Sequence, residues 1–406
     1  MTEKSVLGWL EGREHELVEL TRELVRTPSP NPPGDERQIA ELVRQAMDVL
    51  GYTDVRTIAR SQERPNVVGH VGSGRPTLLL NGHLDTKPAG DEAAWETSPW
   101  DPVVRDGRLY GLGSTDMKGA VAAMIYAGGA LAAAGDVRGT VRVVLTADEE
   151  NGSRFGAEWL APSGEIEADA AVVGEPTGIR SGWEYLAVAS RGFAAFTVTV
   201  RGTQMHSSLS DRLPSVNASV KMARVLGRFA ESFRPSFTPS PHIPGGPTVN
   251  LGVVVSGGVY WGIYPGEARF GVDVRTVPGM TLGQLQADVE AFVDRLRKDD
   301  PELDLSVEWS PELPWFPGSA IDPDHPLVAA AQGAAEAVLG RDVPRGVMPA
   351  FTDGTHWALA GIPCIPALGP GLLSLAHRPN EWVAVREIIE AARIYALLAL
   401  RYFASS

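Results

Sequence analysis

The chain has 406 residues, 44% of them hydrophobic and 21% charged, with a formal net charge of −14. That length exceeds what one hydrophobic core usually holds and predicts two domains or an insertion. The acidic balance argues against nucleic acid and anionic membranes as partners.

The opening stretch, MTEKSVLGWLEGREHELVEL, is charged throughout and lacks the apolar centre of a signal peptide. Helical spacing of apolar residues predicts one helix in VLGWLEGREHELVELTRELVR, stopping at the Pro-rich TPSPNPPGDE, and a second in RQIAELVRQAMDVLG, ending at Gly51. Strand-like runs follow in NVVGHVG, PTLLLNG, TVRVVLTA and ADAAVVGE, with helical stretches between them. Such Val- and Leu-rich strands predict a mainly parallel α/β sheet covered by helices on both faces. The uncharged GAVAAMIYAGGALAAAG, residues 119–135, falls just short of the ~18 residues of a spanning helix and reads as a buried one.

The pattern changes near residue 186. AAFTVTVRG alternates as a half-buried strand, PSVNASVKMARVLGRFAESF is helical, TVNLGVVVSGG and ARFGVDVRTVPG are strands, TLGQLQADVEAFVDRLRKD is helical, and LDLSVEWS is a last strand. The order βαββαβ predicts an inserted α+β domain of ferredoxin-like form over residues 186–310. Residues 1–185 and 311–406 would then form one catalytic domain around it. The single cysteine, Cys364, lies in the apolar GIPCIPALG and reads as a buried, inert thiol. The absence of any disulfide pair fits a cytoplasmic protein.

Ligand-type residues recur at matching places in the α/β part. His83 and Asp85 follow the strand TLLL; Asp116 lies in GLGSTDMKGA, a Gly-rich turn that opens the uncharged helix. TADEENGS carries Asp148, Glu149 and Glu150 after VRVVL, Glu175 follows AAVV, and His377 lies in LAHRPNEWV. Alone, each has an ordinary explanation: a hydrogen-bonded pair, a helix cap, a solvated acidic turn or a loop histidine. Loops at the carboxyl ends of parallel strands converge on one edge, however. Several carboxylates and two imidazoles meeting there would repel without a cation, and zinc accepts that mixture of nitrogen and oxygen ligands. A phosphate-binding role for GLGSTDMKG is disfavoured, because P-loop spacing is lacking and the surrounding acids repel phosphate.

In order and over nearly the whole chain, NGHLDTKP, GLGSTDMKGA, TADEENGS, VVGEPTG and LAHRPNEWV resemble the motifs of one zinc hydrolase family. It is the family of aminoacylase, acetylornithine deacetylase, succinyl-diaminopimelate desuccinylase and carboxypeptidase G. The resemblance implies two divalent ions, zinc or in its place cobalt or manganese. Asp116 would bridge them, His83 and Glu175 would complete one set, and Glu150 and His377 the other. It implies Asp85 as the partner fixing the ring of His83, Glu149 as general acid/base, and a non-proline cis peptide after Asp116. In the inserted domain, His206 in RGTQMHSSLS is similar to a histidine that reaches the other subunit's site in a homodimer and stabilises an oxyanion. Arg275 in FGVDVRTVPG matches an arginine that binds a substrate carboxylate, with a cross-strand ion pair as its structural alternative. Asn250 is a further substrate-binding candidate.

Some positions depart from the family pattern. Leu112 replaces a common arginine, Gly262 stands where many members carry a substrate-contacting asparagine, and Thr355, followed by His356, stands where desuccinylases have an arginine. These changes argue against succinyl-diaminopimelate. Tyr260, Trp261, Tyr264 and Trp183 would suit an aromatic pocket or packing, and His15, His70, His242 and His325 have no motif around them. The expected activity is cleavage of an N-acyl amino acid, as in acetylornithine deacetylase. A dipeptidase or glutamate-releasing carboxypeptidase is the alternative within the family. From another class, the alternative is a non-catalytic dimerisation module.

Overall fold

A computed structural model describes residues 2–135, 137–311 and 315–405. The chain opens with α1 (Glu3–Glu11), α2 (Glu14–Arg26), α3 (Arg37–Val49), β1 (Thr53–Ala59) and β2 (Pro65–His83). Next come α4 (Gly119–Ala134), β3 (Arg138–Thr146), α5 (Ala157–Leu160), β4 (Ala170–Val173) and β5 (Leu186–Ser190). A second compact unit, Arg191–Ser319 with Pro349–Phe351, then intervenes. It holds β6 (Gly192–Arg201), β7 (Met205–His206), α6 (Ala218–Ser232), β8 (Thr248–Gly257), β9 (Ile263–Tyr264), β10 (Glu267–Thr276), α7 (Leu282–Asp299) and β11 (Asp304–Trp309). The first unit resumes with α8 (Pro326–Leu339), β12 (Arg345–Met348), α9 (Gly354–Leu359), β13 (Cys364–Ile365) and α10 (Val385–Ser405).

In the first unit, β3 lies between the two halves of β2. Val67 to Gly72 pair with Leu145 to Thr140 in reverse order, and Thr77 to His83 pair with Thr140 to Thr146 in step. The second half continues parallel to β4, which pairs with β13, while the first half pairs antiparallel with β1. Gly139 permits the crossing: its φ is +104°, and a Cβ there would lie 2.6 Å from the Pro76 carbonyl oxygen.

Strand alternation sends successive side chains into two cores. Leu78, Leu80, Val143, Leu145 and Val172 join the helical layer that includes α4 and α10. Leu79, Val144, Ala171 and Val173 pack on the other face with Leu160 of α5 and Trp357 of α9. A sheet buried on both faces leaves its strand ends as the place for chemistry. The apolar segment 119–135 is the buried helix α4, enclosed in the first of these cores.

The second unit is an antiparallel sheet ordered β8-β10-β6-β11. Phe196, Val198, Phe270 and Val272 pack on Val225 and Phe229 of α6 and on Val289 and Phe292 of α7. Thr281 and Asn217 cap the two helices, accepting from Gln284 and Val220 N–H at 3.2 and 3.0 Å. The opposite sheet face, with Thr197, Arg269 and Asp273, stays partly open.

The division falls at residues 190/191 and 319/320, not at the 185/186 and 310/311 boundaries that the order of strands and helices suggests. Residues 186–190 form β5, which pairs with β12 of the first unit. Trp315 and Phe316 pair with Ala194 and Phe193 of β6, and Phe351 lies 4.4 Å from Phe316 ring to ring. These pairings join non-adjacent stretches, which a change of pattern along the chain does not register.

Candidate metal centre

The second half of β2 ends at His83, β3 at Thr146, and β4 at Val173. Because these segments run in step, their following loops lie together and bring His83, Glu149, Glu150 and Glu175 to one place. Asp116 comes from a distorted turn, Ser114–Lys118, before α4; its φ and ψ are −127° and 89°, and the Asp116–Met117 peptide is cis. His377 comes from the loop before α10.

The imidazole of His83 is 1% exposed; its Nδ1 lies 2.9 Å from the Asp85 carbonyl oxygen, and its Nε2 lies 3.0 Å from Asp116 Oδ1 and 3.5 Å from Glu175 Oε1. The other oxygen of Asp116 faces His377 Nε2 at 3.2 Å, and Glu150 Oε1 lies 3.1 Å from the same nitrogen. Asp116 thus has one histidine on each carboxylate oxygen, with Glu175 on one side and Glu150 on the other. A Glu149 carboxylate oxygen lies within 4.8 Å of the ligand atoms of His83 and Glu175.

Asp85 acts differently from the expectation. Its main-chain carbonyl takes the ring of His83, while its carboxylate Oδ1 is 3.6 Å away. That carboxylate instead accepts the N–H groups of Glu149 and Glu150, each at 3.1 Å, and so holds the acidic turn.

The electrostatics call for added positive charge. Burial alone would lower the pKa values of both histidines, but Asp116 and other carboxylates reverse this, raising His83 well above its usual range and His377 up to about 11. Burial, with Glu175, Asp353 and Glu150 nearby, pushes Glu149 well above an ordinary carboxyl despite His83. Burial and Asp116 likewise push Glu175 up. Lys87 Nζ lies 3.5 Å from Glu150 Oε2, but one ammonium does not balance the whole cluster of Asp116, Glu149, Glu150 and Glu175. Divalent ions would relieve it through the same nitrogen and oxygen atoms, so the donor set fits them.

Several supporting residues escaped the sequence reading. Glu381 accepts from the N–H groups of Thr115 and Asp116 at 2.9 and 3.2 Å; burial and then Asp116 push it up to about 8. Lys118 donates to the Thr27 carbonyl at 2.9 Å, and burial lowers it to about 7. Asp353 accepts from Thr146 Oγ1 at 2.6 Å and from Ser153 Oγ. Beneath the 148–150 turn lie Asn31, Glu36 and Arg64. Glu381 sits inside the motif that contains His377, where its acid chemistry was readable. Asn31, Glu36 and Arg64 carried no local signal.

The three remaining candidates belong to the second unit. His206 lies in β7, paired with β9, and its Nδ1 is 2.8 Å from Ser208 Oγ. Arg275 makes a two-pronged pair with Asp273, Nε to Oδ1 at 3.0 Å and Nη2 to Oδ2 at 2.9 Å, along its own strand rather than across strands. Asn250 donates to the same Asp273 at 3.3 Å from the neighbouring strand.

The profile of peptidase family M20/M25/M40 matches residues 79–401. The chain belongs to this family. Among curated M20 relatives, succinyl-diaminopimelate desuccinylase of Rhodospirillum centenum is 30% identical over 403 residues, covering 96% of this chain and 98% of the relative. Among solved structures, the dipeptidase Dug1p of Saccharomyces cerevisiae matches with a TM-score of 0.77 at 18% identity, covering 100% of this chain and 99% of that one. A dinuclear metal-binding M20 peptidase of Bacillus subtilis matches with a TM-score of 0.65 at 15% identity, over 98% and 99% of the two chains. As an M20 member, the protein is a metal-dependent hydrolase of amide bonds. Its architecture is the α/β catalytic part with an inserted α+β part that the strand and helix order predicted.

Proposed function

We propose that the protein is a dinuclear zinc amidohydrolase that cleaves an N-acyl amino acid bearing a free carboxylate, in the manner of acetylornithine deacetylase. The observation carrying this reading is the double-faced Asp116, with a histidine on each oxygen and an acid beyond each histidine. His83, Glu175 and Asp116 would hold one ion, and Glu150, His377 and Asp116 the other. When bound, such ions supply Lewis acidity and lower the pKa of water; cobalt or manganese can serve the same donor set.

The chain's own residues complete the chemistry. Glu149 accepts the proton of the attacking water and returns it to the departing amine nitrogen, a task suited to a carboxyl whose pKa is raised by burial. His206 donates a hydrogen bond to the oxygen that becomes negative at the tetrahedral centre. Arg275 pairs with the substrate carboxylate, and Asn250 adds a hydrogen bond. The neutral, buried Thr355 offers no cation for a succinyl carboxylate, which supports an uncharged acyl group over succinyl-diaminopimelate.

The assembly proposed is a homodimer in the cytoplasm, without nucleic acid or membrane partners. The exposed Val253, Val254 and Val255 of β8 support the dimer, and the −14 charge and lone buried cysteine support the rest. Light scattering that finds only monomer would overturn the dimer. The test of activity is amine release from N-acetyl, N-succinyl and N-formyl amino acids and dipeptides by zinc-loaded protein, with Glu149→Ala as control. N-acetyl turnover that vanishes in the control is expected; preferred dipeptide or N-succinyl turnover would overturn the substrate reading.

A further inference from the structure

A buried polar chain runs under the metal centre, built from residues remote in sequence. Arg64, 7% exposed, holds Glu36 with two prongs, Nε to Oε2 at 2.7 Å and Nη2 to Oε1 at 2.8 Å, and Asp148 Oδ1 with Nη2 at 2.9 Å. Asn31 Nδ2 bridges Asp148 Oδ1 at 3.0 Å and Asp85 Oδ2 at 2.8 Å. Asp85 in turn holds the N–H groups of Glu149 and Glu150. The turn 148–150 is therefore gripped at both ends, by Asp148 itself and by Asp85. These two carboxylates would repel each other without Asn31 between them and the guanidinium beside them.

The slot for the guanidinium is tightly built. Gly34, at φ +81°, lies so close that a Cβ would come within 1.9 Å of Arg64 Nη1, and the ring of Phe155 covers Cζ at 5.5 Å. A well-packed apolar pair commonly stabilises a core at least as well as a buried ion pair, so stability alone does not account for this network. The planar fork of arginine can reach two acids at once, which an ammonium cannot reproduce.

We infer that Arg64 is the positioning residue of the half-centre formed by Glu150 and His377, acting through Asp148, Asn31 and Asp85. The inference rests on the dinuclear reading above. The other half depends on it less. His83 ends β2 itself and its ring meets the main-chain oxygen of Asp85, not the carboxylate that Asn31 grips, and Glu175 lies two residues after β4. Loss of the guanidinium should therefore weaken one ion and largely spare the other.

The test is zinc binding to full-length wild type, Arg64→Lys, Arg64→Ala and His377→Ala by titration calorimetry, with thermal unfolding recorded alongside. Loss of a group bonded directly to a metal ligand typically costs about 10–100-fold in affinity, and we take the lower end, about tenfold, for a residue acting through intermediates. We expect a weakening of about tenfold for one of two ions in both Arg64 variants, at the same site that His377→Ala removes. Methylguanidinium should restore binding to Arg64→Ala, and methylammonium should not. Equal weakening of both ions, or a fall in Tm with both affinities unchanged, would overturn the inference. If Arg64→Ala fails to fold, Arg64→Lys decides by the same split between sites. A wild type that binds fewer than two ions would overturn the dinuclear reading as well, whereas two ions in the wild type with no split in the variants would overturn this inference alone.

Discussion

Leu78, Leu79 and Leu80 of β2 are all fully buried, because helices cover both faces of that sheet. In the second unit, β6 alternates buried and half-buried residues, and its open side shares a sheet face with Asp273 and Arg275. The central strands of the first sheet have no free face on which to display a functional group, so its chemistry gathers at strand ends, where main-chain geometry fixes direction. The second can display side chains across a surface, where their partners are other side chains. The histidines and acids of the proposed metal centre are accordingly held by strands, turns and N–H groups, and Arg275 by a carboxylate two residues away.

This contrast can be broken at several points. The largest effect expected is at the strand-end centre: Glu149→Gln should lower kcat by about 10²–10⁴ while calorimetry still finds two ions bound. Retained turnover would remove Glu149 from the proton-transfer role. Next, Leu79→Ala should cost about 2–5 kcal/mol in urea unfolding, since the cavity opens between two covered layers. Thr199→Ala, on the open face, should stay within about 0.5 kcal/mol. Similar losses would show that the two sheets are not buried differently.

A third measurement is stability against pH. His356 is buried in the first unit, and burial lowers it from 6.5 to about 4. Between those values His356 binds more protons in the unfolded chain than in the folded one, so its contribution to stability falls as pH drops from 6.5 toward 4. The full penalty is roughly 3 kcal/mol. His356→Gln should flatten that part of the curve, and an unchanged slope would assign the loss to other groups. The smallest effect expected on catalysis is on the open face: Arg275→Ala should raise KM about tenfold, a change of ~1.4 kcal/mol, with kcat moving less. A loss confined to kcat would show that Arg275 acts at the reacting atoms rather than on the substrate carboxylate.

Residue type and strand-end placement made much of the centre readable. His83, Glu175 and the pair Glu149–Glu150 each follow an apolar run, and a parallel arrangement brings such loops together. The order βαββαβ was readable because its strands alternate and its helices are long. Pairings between distant segments were not. Nothing in PNVVGHVG says that it reaches β3 on the side opposite TLLL, nor that β5 pairs with β12. The same limit hid Arg64: a lone arginine before a proline looks like a surface residue until Glu36 and Asp148 close around it. For Asp85, the family resemblance implied a partner fixing the ring of His83, and it is the main-chain oxygen that lies nearer, at 2.9 Å, a choice that depends on loop conformation.

The apolar helix α4 also bears on how the chain is made. Its covering includes α10, whose residues 385–405 emerge from the ribosome after the entire second unit. At about 5–20 residues per second, the roughly 250 residues between them take some 12–50 s to synthesise. Throughout that interval a helix as apolar as a membrane span lacks one of its walls. Chains interrupted between residues 378 and 384 should therefore be captured by chaperones or aggregate, even though every ligand of the proposed metal centre has already been translated.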